Sequence, residues 1–209
     1  MSKNQDEPIM DKLSSISGLT VSQQKEWGEI LSGFETKNKY IISDTSGNRM
    51  YLAAEESGAT LLRLFLKALR PFTLVVLTED GEVVLRVIRP FRFYFHRAEI
   101  VDSQGQSLGV IQKRFSLLRR IYSVLDSSGK EVFQLFGPIL HPWTFQIRNN
   151  NVEYGKITKK WSGLLKEGFT DADNFGVMFP KEWDSKLKAL FLGAVFLIDF
   201  VHFENKSNN

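Results

Sequence analysis

Ser185-Lys186-Leu187-Lys188-Ala189-Leu190-Phe191-Leu192-Gly193-Ala194-Val195-Phe196-Leu197-Ile198-Asp199-Phe200-Val201 is the stretch on which the fold turns. From Ala189 to Ile198 there is no polar side chain, and past Asp199 the apolar run resumes with Phe200 and Val201. A membrane-spanning helix needs about 20 apolar residues, whereas runs of about 10 to 14 are more often buried helices. A helix that is apolar on every face has to be surrounded by protein. The stretch therefore predicts a helix over about 185–201 with Leu190, Phe191, Ala194, Leu197 and Ile198 in a core. A single membrane span is the alternative.

The rest of the chain supplies the surroundings. From Trp27 onward, short runs rich in Val, Ile, Phe and Tyr alternate with turn signals: Thr45-Ser46-Gly47-Asn48, Glu79-Asp80-Gly81-Glu82, Ser103-Gln104-Gly105-Gln106, Ser127-Ser128-Gly129-Lys130 and Asn149-Asn150-Asn151. Each offers a Gly or Asn for a positive φ, as hairpin turns require. Gly81, Gly105 and Gly129 lie 24 residues apart, a spacing that suits a repeated unit of hairpin plus longer return. The helical-looking Ala59–Leu69 accounts for the wider gap between Gly47 and Gly81. Ten or more strands without amphipathic helices of βαβ type give a mainly β fold, an antiparallel barrel or sandwich closed around the C-terminal helix.

Composition narrows the class. With 43% hydrophobic and 24% charged residues in 209, neither wholesale disorder nor a multi-span membrane protein fits. A net charge of +3 argues against a dedicated nucleic-acid binder unless the charge is unevenly placed. The absence of cysteine rules out disulfides, thiolate metal sites, thiol catalysis and S-acylation of this sequence, and three histidines leave little for a His-rich site. Residues 1–17 read as a loose polar tail without a secretory signal, residues 18–204 as a single barrel domain and 205–209 as a polar end.

If successive connections alternate between the barrel's ends, the charges separate. The tight-turn end collects Asp44, Glu79, Asp80, Glu82, Asp102, Asp126 and Glu131. The long-return end collects Arg63, Lys67, Arg70, Arg89, Arg92, Arg97, Lys113, Arg114, Arg119, Arg120, Lys159 and Lys160. That basic end is interleaved with apolar residues in Arg89-Pro90-Phe91-Arg92-Phe93-Tyr94-Phe95-His96-Arg97 and Lys113-Arg114-Phe115-Ser116-Leu117-Leu118-Arg119-Arg120. An anionic bilayer surface selects this mixture, and so does single-stranded nucleic acid. Strands with inward Phe and a solvated Arg rim would read the same way. On a helix, Arg63, Lys67 and Arg70 share one face opposite Leu61, Leu62, Phe65, Leu66 and Leu69.

No GxSxG, HExxH, P-loop or GxGxxG motif occurs, and His96, His141 and His202 lack metal-ligand spacing, so covalent enzyme chemistry is not expected. His141 reads as a turn residue, and Asp199 either as an intramembrane acid or as a helix-end group reaching backbone or solvent.

Several blocks, in one order, resemble the phospholipid scramblase family: Gly33-Phe34-Glu35-Thr36-Lys37-Asn38-Lys39-Tyr40, Tyr51-Leu52-Ala53-Ala54-Glu55-Glu56, Leu69-Arg70-Pro71-Phe72-Thr73-Leu74, Phe136-Gly137-Pro138, Gly155-Lys156-Ile157-Thr158-Lys159-Lys160-Trp161-Ser162-Gly163, Phe169-Thr170-Asp171-Ala172-Asp173-Asn174-Phe175-Gly176 and Phe196-Leu197-Ile198-Asp199-Phe200. The resemblance implies a tubby-like fold, a closed antiparallel barrel of about twelve strands around the C-terminal helix. It also implies calcium-stimulated, ATP-independent phospholipid movement between leaflets, membrane association on the cytoplasmic face and anionic phospholipids as partners. The alternative is a soluble interaction scaffold whose basic end binds protein or nucleic acid. The sequence departs from the family pattern in its single N-terminal proline, Pro8, and its lack of a Cys-rich segment.

The resemblance further implies calcium ligation by the segment from Asp171, with Asp171, Asp173, Asn174 and Glu182 as oxygen donors. Counted as an EF-hand loop, Asp171, Asp173, Gly176 and Glu182 fall at positions 1, 3, 6 and 12, while Phe175 and Phe179 at 5 and 9 offer no side-chain oxygen. Affinity of roughly 10⁻⁴ to 10⁻³ M is expected from so few carboxylates. The alternative is that Asp171 and Asp173 shape a turn through nearby backbone amides.

Overall fold

The computed structural model describes residues 7–24, 38–56, 71–91, 95–159 and 174–203. Helix α1 (Glu7–Ser14) precedes strands β1 (Gly18–Gln23), β2 (Lys39–Asp44), β3 (Arg49–Glu55), β4 (Phe72–Leu77), β5 (Val83–Arg89) and β6 (Arg97–Asp102). There follow β7 (Ser107–Lys113), β8 (Arg120–Asp126), β9 (Glu131–Gly137), β10 (Thr144–Asn149), β11 (Val152–Lys159), β12 (Asn174–Met178) and helix α2 (Ser185–His202). The twelve strands run up and down in chain order, and β1 pairs with β12 to close the barrel. Every neighbouring pair is antiparallel, so no strand edge is left open.

The repeat seen in the sequence is a repeated turn. In the hairpins after β2, β6 and β8 an aspartate starts a four-residue reversal that ends on glycine. Asp44 Oδ1 accepts from the amides of Ser46 and Asn48, Asp102 Oδ1 from Gln104 and Gln106, and Asp126 Oδ1 from Ser128 and Lys130. After β4, Thr78 Oγ1 plays the same part for Glu82. The closing glycines have φ of 89°, 86°, 82° and 83°, and the register of each hairpin shifts by one residue beside the turn. At Gly81, Gly105 and Gly129 a Cβ would meet nothing within 4 Å, so the backbone angle and not space demands glycine there. In the β10–β11 hairpin Asn150 and Asn151 take the positive φ values, 48° and 65°.

Helix α2 runs through the barrel. Its N-cap is Asp184, whose Oδ1 accepts from the Leu187 amide at 2.7 Å. Every residue from Lys188 to Phe200 is buried, including Leu190, Phe191, Ala194, Leu197 and Ile198 at 0–3% exposure. At Gly193 a Cβ would collide with Ile100 of β6, so the missing side chain lets the helix lie against the wall. No helix among the described residues is long and apolar enough to cross a membrane, and α2 is the filling of the barrel. Full burial of each large apolar side chain stabilises by about 1.5–3 kcal/mol.

The expected loose tail at residues 1–17 is corrected from residue 7 onward. Helix α1 buries Met10 and Leu13 in the same core, and Lys188 Nζ donates to the Ser14 carbonyl at 2.8 Å and the Lys181 carbonyl at 2.7 Å. Met10 and Leu13, three apart, share one face of α1 and pack it beside the start of α2. The helical-looking Ala59–Leu69 lies outside the described residues.

Candidate functional site

Up-and-down topology places the five tight turns and the start of α2 at one end of the barrel, and the longer returns and the end of α2 at the other. At the tight-turn end Asp44, Asp102 and Asp126 are occupied by the amides of their own turns. The Ser128 hydroxyl and neighbouring amides hold Asp126 below the ordinary carboxylate range. Glu131 accepts from Ser123 Oγ and Gln134, and Glu79 lies 3.8 Å from Arg49.

The return end presents apolar side chains to solvent. Because the strands are in chain order, the β5–β6, β7–β8 and β9–β10 returns stand side by side. They carry Phe91 and Phe95; Phe115, Leu117 and Leu118; and Ile139 and Leu140, respectively. Phe115, Leu117, Leu118 and Leu140 are 77–88% exposed. Exposure of this kind on neighbouring loops marks an interaction site more often than chance scatter does.

The expected cations are distributed unevenly around this patch. Arg119 is exposed, 5.4 Å from the Phe136 ring, and Arg114 is exposed with Glu131 at 3.6 Å. Arg97 and Lys113 are half-buried at the adjoining ends of β6 and β7. Arg120 is half-buried, and its guanidinium donates to three carbonyls of the β9–β10 return, those of Pro138, His141 and Pro142. Arg89 is a correction to the exposed rim: it is 1% exposed, with Nη2 2.6 Å from His96 Nδ1 and its guanidinium 4.6 Å from the Phe200 ring. Arg89 ends β5 on an inward-facing position, which the alternation of that strand sets. Arg63, Lys67, Arg70 and Arg92 lie outside the described residues.

Beneath the patch, the C-terminus of α2 meets buried positive charge. Lys159 Nζ lies 3.4 Å from Asp199 Oδ1, Tyr40 donates its hydroxyl to Asp199 Oδ2 at 3.0 Å, and both charged side chains are under 10% exposed. This corrects the sequence expectation that Asp199 reaches backbone or solvent. Lys159 also stands over Phe203 at 4.4 Å. Cations at a helix C-terminus are electrostatically favoured. Burial, with Arg89 and Lys113 nearby, pushes the His96 imidazole down to about 4, so it is neutral at pH 7 and accepts from Arg89.

Of the expected calcium donors, the described residues include Asn174 and Glu182, which stand at and beyond opposite ends of one strand. Gly176, expected at the sharp turn, sits within β12 opposite Thr20 and Thr158. Asn174 is buried at the start of that strand, and Glu182 is exposed beyond its other end. A strand rises about 3.3 Å per residue, so β12 carries the chain between the barrel's ends. Asp171 and Asp173 lie outside the described residues. No group of three or more His, Asp or Glu suited to a metal occurs among the described residues.

Sequence reasoning missed Ile139 and Leu140. The signal available was their position in Pro138-Ile139-Leu140-His141-Pro142, where two prolines preclude a strand and leave the aliphatic pair in a loop. His141 is the exposed turn residue expected.

A family model described as Scramblase matches residues 1–205. Phospholipid scramblase 1 of Mus musculus is 36% identical, the match covering 96% of this chain and 65% of the mouse protein. Phospholipid scramblase 2 of Bos taurus is 36% identical, covering 94% and 72%, and phospholipid scramblase family member 5 of Homo sapiens is 32% identical, covering 95% and 78%. The chain thus spans slightly less than two thirds of the mouse relative's length. A solved X-ray structure of a protein from Arabidopsis thaliana is 11% identical with a TM-score of 0.48, covering 96% of this chain and 98% of that one. Matched over residues 1–205 by the family model and over most of its length by relatives above 30% identity, the chain belongs to the scramblase family.

Proposed function

We propose that the return end of the barrel docks on an anionic phospholipid bilayer and that the protein takes part there in redistributing phospholipids. The observation that carries this is the set of exposed Phe, Leu and Ile side chains on three adjoining returns, flanked by Arg97, Lys113, Arg114 and Arg119. Each Lys or Arg near an anionic surface contributes about 1 kcal/mol, and each large apolar side chain up to about 1.5–3 kcal/mol if fully buried. The apolar side chains therefore supply most of the attraction, and the cations choose the lipid.

With α2 filling the barrel, lipid headgroups are met at this outer end face and not in the barrel interior. Nucleic acid is the second reading, since Phe91, Phe95 and Phe115 could stack on bases. Leu117, Leu118, Ile139 and Leu140 have no π face, which favours the acyl boundary. The finer reading, calcium-stimulated and ATP-independent movement between leaflets on the cytoplasmic face, is part of the proposal and is supported by the family resemblance alone.

The test combines sedimentation with phosphatidylcholine vesicles, with and without phosphatidylserine, and a leaflet-exchange assay on reconstituted protein with fluorescent lipid, with and without calcium and ATP. Salt-sensitive binding restricted to the anionic vesicles is expected, with exchange that needs no ATP. Equal binding to both vesicles, or tighter binding to single-stranded DNA, would overturn the lipid reading. Binding without exchange would reduce the function to lipid recognition.

A further inference from the structure

We infer that Arg120 is a positioning residue, a clasp that holds the β9–β10 return so that Ile139 and Leu140 point at the bilayer. This deepens the membrane-facing reading above and rests on it only for its consequence. The guanidinium converges on three carbonyls of one short loop. Nη2 lies 3.2 Å from the Pro138 oxygen and 3.2 Å from the His141 oxygen, and Nη1 donates to the Pro142 oxygen. Its other face lies 4.6 Å from the Phe145 ring.

The loop needs such an outside donor. Pro138 and Pro142 have no amide hydrogen, so fewer internal bonds are available to fix the chain between them. Among the described residues two backbone bonds run within the loop, His141 N to Pro138 O at 3.3 Å and Thr144 N to His141 O at 3.1 Å, and Lys159 N ties its end through the Trp143 carbonyl at 2.8 Å, which leaves the Pro142 carbonyl to Arg120. Carbonyls turned inward toward one guanidinium accompany outward side chains, and Ile139 and Leu140 are 61% and 87% exposed.

Gly137 makes room for the clasp. It pairs with Arg120 across β8 and β9, and a Cβ there would come 3.1 Å from Arg120 Nε, from Arg120 Cβ and from Phe145 Cε1. A planar guanidinium with five donors can serve three acceptors at fixed angles, which a lysine ammonium on a flexible stem does not reproduce. Arg120 is therefore directed at carbonyls and not at phosphate, unlike its exposed neighbour Arg119.

The chain has no cysteine, so Leu140→Cys and Leu117→Cys each accept a single thiol-linked fluorophore. In vesicle-free buffer, Arg120→Lys should at least double the local rotational freedom of the probe at 140 and leave the probe at 117 unchanged. Gly137→Ala, acting by pressure on the same side chain, should repeat the selective loss. On phosphatidylserine-containing vesicles, Arg120→Gln should weaken the membrane response of the probe at 140 several-fold without making binding less sensitive to salt. Unchanged anisotropy at 140 in Arg120→Lys would overturn the clasp, as would a shallower salt dependence in Arg120→Gln, the mark of a lost phosphate contact. If neither labelled parent responds to vesicles while the selective anisotropy loss persists, the clasp stands and the membrane reading falls.

Discussion

The two ends of the barrel reverse the chain under different rules. At the tight-turn end Asp44, Asp102 and Asp126 bond the amides of their own turns, so the acidic charge concentrated there serves the fold. At the return end the loops are longer, and Phe115, Leu117, Leu118 and Leu140 stand out into solvent beside Arg114 and Arg119. Two charge clusters that look alike in a sequence thus differ in kind. In one, three aspartates are engaged by their own turns, and the other keeps apolar area whose burial requires a partner.

The largest effect expected from breaking this arrangement is loss of the helix that joins the two ends. Truncation after Asp184 removes Leu190, Phe191, Ala194, Leu197 and Ile198 from the core, a loss of about 6–12 kcal/mol from the four large side chains alone and comparable with the whole stability of about 5–15 kcal/mol. The fragment should show no cooperative melt by circular dichroism. Ala194→Lys should have the same outcome, because it buries a charge at a site that is 0% exposed.

Next in size is the buried pair under the return end. Asp199→Ala leaves Lys159 in place with its carboxylate partner gone and should cost about 3–5 kcal/mol in urea unfolding. Lys159→Met with Asp199→Leu should restore most of that, since replacing both members of a buried pair with apolar groups is often near neutral. A double variant as unstable as the single would show that the pair, and not the avoidance of a lone charge, holds the end of α2.

The overall architecture was legible in the sequence, and the reason is local. The run Ala189–Ile198 and the Gly turns are both read from contiguous residues, and both are physical necessities of the barrel. What was not legible depends on pairing across the chain. Nothing near Lys159 announces Asp199, forty residues away, and nothing near Arg120 announces the carbonyls of Pro138 and Pro142. Arg89 looked like a rim cation because its neighbours are Phe91 and Arg92, although strand alternation turns it inward beside Phe200. Spacing alone also does not distinguish a loop turn from a strand that contains a glycine: Gly176, counted at the sharp turn of a calcium loop, lies within β12.

Between about pH 6.5 and pH 4 the return end should be the acid-sensitive one, the depressed carboxylates of the tight-turn end titrating below that window. His96 titrates at about 4 in the fold against about 6.5 when unfolded, so the unfolded chain binds the extra proton first. Stability from this group is fully present above about pH 6.5 and is lost as the pH falls toward about 4. His96→Gln should flatten that part of the stability–pH curve, and an unaltered curve would remove His96 from the account.

The smallest expected effect lies at the tight-turn end. Gly105→Ala forces a side chain to φ near 82° in otherwise open space and should cost roughly 1–2 kcal/mol, with lipid binding unaffected.

The most direct test of the central claim is vesicle binding by a variant that alters the exposed apolar tips and keeps every charge: Leu117→Ser, Leu118→Ser and Leu140→Ser together. These side chains are 77–88% exposed, so the thermal unfolding midpoint should hold. Partitioning onto phosphatidylserine-containing vesicles should fall by about 100-fold or more if even half of each leucine's area enters the bilayer. Partitioning equal to that of the unaltered protein, with the fold intact, would contradict a membrane-facing return end.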